Sequence, residues 1–166
     1  MAQALLITIN DIKRYSNLSG NLDEDKIIQF VKIAQDVHLQ QFLGTDLLNR
    51  LEAGVIAGDL TANETSLINN YIKDMLIHWT LVEYLPHAAY DISNRGLFKN
   101  TSETGETLSK NEVDFMIEKQ RDTAENYTRR FIDYICNNSS TFPEYNTNSN
   151  GDVHPITKSN FSGWVL

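Results

Sequence analysis

The sequence has one cysteine, three prolines and no long run of apolar residues. The lone Cys136 excludes an internal disulfide framework and fits a reducing compartment, and the apolar residues beside it predict a small buried side chain. No stretch approaches the roughly 20 apolar residues that span a bilayer. The N-terminus also lacks the charged segment and cleavage site of a secretory signal. We therefore expect a protein that remains in the cytoplasm and has no membrane partner.

Basic charge is scarce as well, since 14 Lys and Arg against 22 Asp and Glu give a net charge of -8. Such a chain is repelled by DNA, RNA and anionic membranes, which disfavours nonspecific nucleic-acid binding. An acidic surface does suit a passage through which DNA slides without sticking. Phosphate-binding glycine loops are missing, because neither Gly-x-x-x-x-Gly-Lys nor Gly-x-Gly-x-x-Gly occurs.

Candidates for catalysis are few. Asp114, Glu118 and Asp122 are spaced four apart on one predicted helix and could offer carboxylates to a divalent metal. A metal site in a helical bundle needs matching ligands from facing helices, often a Glu-x-x-His motif, and no such motif occurs. The histidines do not form a recognisable Ser-His-Asp pattern either. We predict no catalytic residue, metal or cofactor, and thus no enzyme; a metal enzyme using the three carboxylates is one alternative.

One cluster of basic and aromatic residues could contact a nucleic-acid backbone. It consists of Arg121, Tyr127, Arg129 and Arg130. The neighbouring acids Asp122, Glu125 and Asp133 neutralise it locally, which favours a solvated face or a polar subunit contact. A nucleic-acid-binding regulatory helical protein is therefore the second alternative.

Helix-capping signatures recur along the chain and divide it into about five helices. The predicted caps are Thr8, Asp23, Thr61 and Ser109, and Thr45-Asp46 is predicted to start the third helix. The second helix is amphipathic and should end at Gly44, and its predicted buried face contains Ile27, Val31, Ala34, Val37, His38 and Phe42. The fifth helix has a predicted buried stripe of Val113, Ile117, Ala124, Tyr127, Phe131 and Tyr134.

The fourth predicted helix should be central, because apolar residues occur on almost all its sides between Met75 and Leu85. Pro86 predicts a kink, followed by helix to about Ser93. A small β-hairpin or extended loop is expected near residues 96–108. The predicted fold class is all-α, a single helical bundle of about five helices with this insertion and an extended C-terminal arm.

The C-terminal residues 137–166 are rich in Asn, Ser and Thr, a composition that cannot bury enough surface to offset its ordering entropy. Aromatic and apolar residues in it are suited to burial against a partner. We therefore divide the chain into a helical connector domain, 1–136, and a docking arm, 137–166. The alternative is that this segment folds back over its own domain. The apolar residues of the arm are Phe142, Tyr145, Phe161, Trp164, Val165 and Leu166.

Four stretches together resemble the adaptor or ring proteins of tailed bacteriophages, especially those of crAss-like phages that infect gut Bacteroidetes. The similarity spans roughly residues 7–145 and depends on the order of the motifs. The stretches are Ile7-Thr8-Ile9-Asn10-Asp11-Ile12-Lys13-Arg14-Tyr15, the helix from Ile27 through Leu43-Gly44-Thr45-Asp46-Leu47, Ser93-Asn94-Arg95-Gly96, and Phe131-Ile132-Asp133-Tyr134-Ile135-Cys136-Asn137 leading to Phe142-Pro143-Glu144-Tyr145.

This resemblance implies a structural virion protein, a head-to-tail connector subunit at the junction of capsid and tail that is assembled in the host cytoplasm. Its implied partners are further copies of itself in a closed, twelve-fold ring, the portal protein, and neighbouring tail or ring proteins. Genomic DNA would pass through the lumen without specific binding. The loop that begins at Asn94 would contact the next subunit or ring. The residues predicted to bind other proteins are Asn94, Arg95, Gly96, Phe98, Phe142, Tyr145, Phe161, Trp164, Val165 and Leu166.

Overall fold

The structure, a computed structural model, describes residues 4–18, 24–88, 90–93, 96–99 and 109–158. These residues form an α-helical bundle, which confirms the predicted fold class. The helices are α1 (Ile9–Tyr15), α2 (Glu24–Ala34), α3 (Gln40–Leu43), α4 (Thr45–Ala57), α5 (Ala62–Leu67), α6 (Lys73–Ala88) and α7 (Lys110–Asn137). Two π-helical turns, Gln35–Leu39 and Ile68–Ile72, join α2 to α3 and α5 to α6.

The predicted caps at Thr8, Thr61 and Ser109 are confirmed. Each hydroxyl accepts a hydrogen bond from the third helical amide, and the acidic residue at that position accepts one in return from the cap amide. These reciprocal bonds satisfy two otherwise unpaired backbone donors at each helix start. Gly44 separates α3 from α4 with a φ of 77°, a conformation that favours glycine.

The buried face of α2 departs from the prediction in the π turn. Val37 was expected inside, yet 55% of its surface is exposed, whereas Leu39 and Gln35 are fully buried. A π turn carries one residue more than an α turn, so the side chains beyond it are rotated relative to the α-helical pattern. Phe42 then returns to the core as predicted.

Helix α6 is the centre of the bundle, as its apolar sequence predicts, and it packs against α2 and α7. His38 stacks on Trp79 with 3.9 Å between ring centroids, and its Nε2 lies 2.7 Å from Glu83 Oε1. The Trp79 indole N–H donates to Thr128 Oγ1 on α7 over 3.0 Å. The π turn after α2 and the helix α7 therefore both contact the same side chain of α6.

Two short antiparallel strands, β1 (Tyr90–Ser93) and β2 (Gly96–Lys99), follow α6, with Tyr90 paired to Lys99 and Ser93 to Gly96. The prediction of helix to about Ser93 is therefore wrong, because α6 ends at Ala88. Pro86 lies inside the last turn of α6, and Tyr90 and Ile92 are of types that favour strands over helices. The predicted insertion also included residues 100–108, which lie outside the described residues.

Candidate assembly surfaces

An open apolar groove of about 330 Å³ lies between the N-terminal segment, α1 and α2. Ile7 and Val31 are buried in it, while Ile28 at its edge keeps 45% of its surface exposed. We call it the apolar groove, and its lining residues are Leu5, Ile7, Thr8, Ile9, Asn10, Glu24, Ile28 and Val31.

The wall formed by the N-terminal segment is held in place by the fully buried Gln35. Its Nε2 donates to Ala4 O at 2.9 Å and to Glu52 Oε1 at 2.7 Å, and its Oε1 accepts from Leu6 N at 3.0 Å. Burial raises the pKa of the Glu52 carboxyl. Because buried polar groups are costly when unpaired, these bonds fix the segment on α2 and α4.

Charged side chains surround the apolar groove. Lys13 Nζ lies 2.9 Å from Glu24 Oε1 and joins the last turn of α1 to the start of α2. Arg14 is exposed, and its guanidinium carbon lies 5.6 Å from the centroid of the exposed Tyr15 ring. The groove therefore has an apolar floor with one acidic and two basic side chains nearby.

A second apolar surface lies on the N-terminal half of α7, where Phe115 is 60% and Met116 43% exposed. We call these two side chains the α7 apolar surface. Lys119 Nζ lies 5.7 Å from the Phe115 ring centroid and 3.9 Å from Asp122 Oδ2. This surface was not predicted, although two large apolar residues on the charged face of an amphipathic helix are a signal for it in the sequence.

The C-terminal segment folds back onto the start of α4. The Asp46 carboxylate accepts hydrogen bonds from the Thr147 hydroxyl, the Ser149 amide and hydroxyl, and the Asn150 side-chain amide, at 2.7 to 3.1 Å. The bonds from Ser149 contribute most to holding the pKa of Asp46 below its ordinary value. Further along, Ile156 N donates to Gln41 O at 2.8 Å. Residues 147–156 therefore belong to the folded body.

Gly44 is needed for this return path. A Cβ at this position would lie 2.7 Å from Pro155 Cδ, closer than packed carbon atoms approach. The backbone φ of 77° also disfavours other residues.

The aromatic rings of Phe142 and Tyr145, predicted to bind other proteins, are buried in the hydrophobic core of their own chain. Burial raises the pKa of the Tyr145 phenol, whose oxygen lies 3.7 Å from Cys136 Sγ. The alternative, that these rings pack on their own domain, therefore holds for both. The aromatic character of both residues correctly predicted that they are buried. It could not show whether they are buried within the subunit or against another protein.

The other predicted contact residues are not brought together by the described parts of the chain. Asn94, Arg95, Phe161, Trp164, Val165 and Leu166 lie outside the described residues. Gly96 and Phe98 are in β2, where their backbones pair with Ser93 and Asp91. The assignment of these residues to an interface stays a prediction.

The residues considered for chemistry or for nucleic acid lie along α7. Within the described ranges, no three His, Cys, Asp or Glu side chains form a group that could hold a metal ion. Arg129 Nη2 lies 3.9 Å from Glu125 Oε2, and Arg130 Nη1 lies 4.0 Å from Asp74 Oδ2. The Arg130 guanidinium also lies over the Tyr71 ring at 5.1 Å. These contacts neutralise part of the basic cluster within the subunit.

Residues 39–155 match a protein family described as Family of unknown function (DUF6712). The match covers more than half of the sequence, so the chain belongs to this family. It extends from the π turn after α2 to Pro155, and thus includes the C-terminal segment held by Asp46. No curated protein and no solved structure matches the chain. In the described part of the chain, every helix is too short or too polar to cross a bilayer.

Proposed function

We propose that this protein is a structural subunit of a head-to-tail connector in a tailed bacteriophage, in which identical copies form a ring beneath the portal. The observation that carries this proposal is the presence of two separate apolar surfaces on one folded subunit. The apolar groove lies beside α2, whereas the α7 apolar surface lies on another helix that also packs against α6. Exposed apolar patches of this kind favour protein contacts.

Two different surfaces on one subunit are compatible with a ring. A twofold contact joins the same surface of both copies, so one patch is enough for it. A ring closes through heterologous contacts, in which one surface of each subunit meets a different surface of the next. The two surfaces of this chain meet that requirement.

The acidic balance suits a channel for DNA. With a net charge of -8 per subunit, a ring of many copies repels phosphates overall. Genomic DNA would then pass with little adhesion, as the resemblance to phage ring proteins implies.

Self-assembly is tested by analytical ultracentrifugation and electron microscopy of the purified full-length protein over a range of concentrations. We expect a closed ring whose population rises with protein concentration. A wild-type protein that stays monomeric up to its solubility limit, and that is absent from the neck of purified virions, would contradict the proposal.

The predicted docking arm has its own test, the deletion of residues 157–166. The contacts of Asp46 with residues 147–150 lie before the deletion, so we expect a folded helical protein. Such a protein should still form rings but should not join the portal or the neighbouring ring. Normal incorporation of the shortened protein into virions would show that the arm idea is wrong.

A further inference from the structure

We infer that the α7 apolar surface of one subunit enters the apolar groove of the next subunit. This pairing rests on the proposed ring and specifies its lateral contact. The occupant of the groove is thus a second copy of this chain, and the ring repeats a single interface around its axis.

One surface is concave, whereas the other projects from its helix. The groove is concave and apolar, with a volume of about 330 Å³, and Ile28 at its edge is accessible. Phe115 and Met116 project from a helix with most of the Phe115 ring exposed. Aromatic and methionine side chains are enriched at interfaces, and an aromatic ring in a desolvated pocket is a common energetic centre of binding.

The charges beside the two surfaces are complementary. Near the groove, Arg14 follows the lining residue Asn10 by four positions, and Glu24 is itself part of the lining. On α7, Glu118 and Lys119 follow Phe115 by three and four positions, which places them on the same side of the helix.

On the groove side, Glu24 is already paired with Lys13 within the subunit, which leaves Arg14 as the cation for a contact. Beside Phe115, Glu118 is the matching anion, so docking can pair Arg14 with Glu118. Subunits with a net charge of -8 repel one another at long range. Opposite charges at the rim offset this repulsion locally and select the correct orientation of the partner.

The test uses two full-length variants that each keep one intact surface. Phe115→Glu removes the α7 apolar surface and keeps the groove, whereas Ile28→Glu blocks the groove and keeps the α7 surface. Both positions are exposed in the subunit, so both variants should keep their helical circular dichroism. Each variant alone should associate about 30-fold or more weakly than wild type.

Mixing the two variants gives the decisive readout. The intact groove of the Phe115→Glu chain can accept the intact α7 surface of the Ile28→Glu chain, and no third subunit can be added to this pair. We therefore expect a 1:1 heterodimer and no ring in sedimentation velocity. Ile56→Glu, a change at an exposed apolar residue of α4 away from both surfaces, is the matched control and should leave rings intact.

A charge exchange tests the orientation. Arg14→Glu and Glu118→Arg should each weaken association about three- to tenfold, since like charges then meet at the rim. Both changes in one chain restore opposite charges at every interface and should recover most of the lost association.

The outcomes separate this pairing from the proposed ring. Rings that persist in both the Phe115→Glu and the Ile28→Glu variants would overturn the pairing while leaving the connector proposal intact. Two variants that stay monomeric on mixing would also overturn it, because the groove would then have another occupant, such as a different protein or a small apolar ligand. A wild-type chain that neither self-associates nor occurs in the neck of purified virions would contradict both proposals.

Discussion

The two ends of α7 differ in what their side chains contact, although they belong to one continuous helix. In the C-terminal half, Ala124, Phe131 and Ile135 are fully buried in the core. In the N-terminal half, Phe115 and Met116 face solvent. Helix formation in α7 therefore does not require burial along its whole length, because the first turns of α7 form without a buried side chain.

The transition between the two halves lies near Gln120, whose Oε1 is 2.8 Å from His78 Nδ1 of α6. Two turns further, Tyr127 stacks on the same His78 ring at 5.3 Å. Before this point α7 has no buried side chain, although Ile117 packs against the edge of the core, and the helix begins with a capping box at Ser109. The stability of the subunit should therefore depend on the C-terminal half, and assembly on the N-terminal half.

The sharpest test of this division is a pair of matched substitutions. Phe131→Ala leaves a cavity in the core and should lower the free energy of unfolding by about 3–5 kcal/mol. Phe115→Ala removes an exposed ring and should change it by about 0.5 kcal/mol or less. Urea denaturation of the dilute proteins measures both, and equal losses would contradict the division.

Loss of a buried hydrogen bond between α6 and α7 should have the next largest effect on the free energy of unfolding. Thr128 accepts from the Trp79 indole and donates to Ala124 O, both at buried positions. Thr128→Val keeps the shape but leaves the Trp79 donor unpaired, so we expect a loss of about 1–3 kcal/mol in unfolding free energy. Thr123→Val is the control, because the Thr123 hydroxyl bonds only to the exposed Lys119 carbonyl of its own helix. A similar loss in the control would show that the hydroxyl, and not its burial, decides the effect.

Removal of the N-terminal cap of α7 should have a smaller and more local effect on stability. Ser109→Ala removes the hydroxyl that accepts from Glu112 N and should cost about 1 kcal/mol. Because few core contacts hold these turns, the loss should appear as faster hydrogen exchange in residues 112–119, with little change in residues 128–135. Uniformly faster exchange along α7 would mean that its two halves unfold together.

The smallest expected effect on stability comes from the C-terminal segment. Polar contacts hold this segment on the subunit, whereas apolar contacts hold α7. The folded pKa of Asp46 is below its ordinary value of 3.8. Its contribution is therefore complete above that value and is lost as the pH falls through the lowered folded pKa. NMR shifts of the Ser149 amide should titrate in this acidic range before the core unfolds. In Asp46→Asn this titration should be absent, and its persistence would assign it to another carboxyl.

Local sequence signals predicted much of this fold for physical reasons. The capping boxes at Thr8, Thr61 and Ser109 act within four residues, so they can be recognised without tertiary information. The central position of α6 followed from its apolar residues on all sides. By contrast, the π turn that exposes Val37 has no recognisable sequence pattern, and the end of α6 at Ala88 was missed although Pro86 lies in its last turn.

The candidate surfaces were harder to predict than the helices. Phe142 and Tyr145 are aromatic residues in a polar segment, and they were predicted to contact another protein. Both are buried in the core of their own chain. Phe115, by contrast, is of a residue type that is usually buried, yet it is exposed. The type of a residue indicates whether its side chain tends to be buried. Which part of the protein buries it depends on which helices and segments are in contact in the folded chain.

The sequence by itself determined the helical class, the helix starts and the acidic charge, because these follow from short-range hydrogen bonding and from composition. Only the tertiary structure decided that residues 147–156 fold back onto α4, that an apolar groove opens beside α2, and that half of α7 extends beyond the core. These features include contacts between residues more than a hundred positions apart. Such contacts depend on the packing of the whole chain, and no local pattern encodes them.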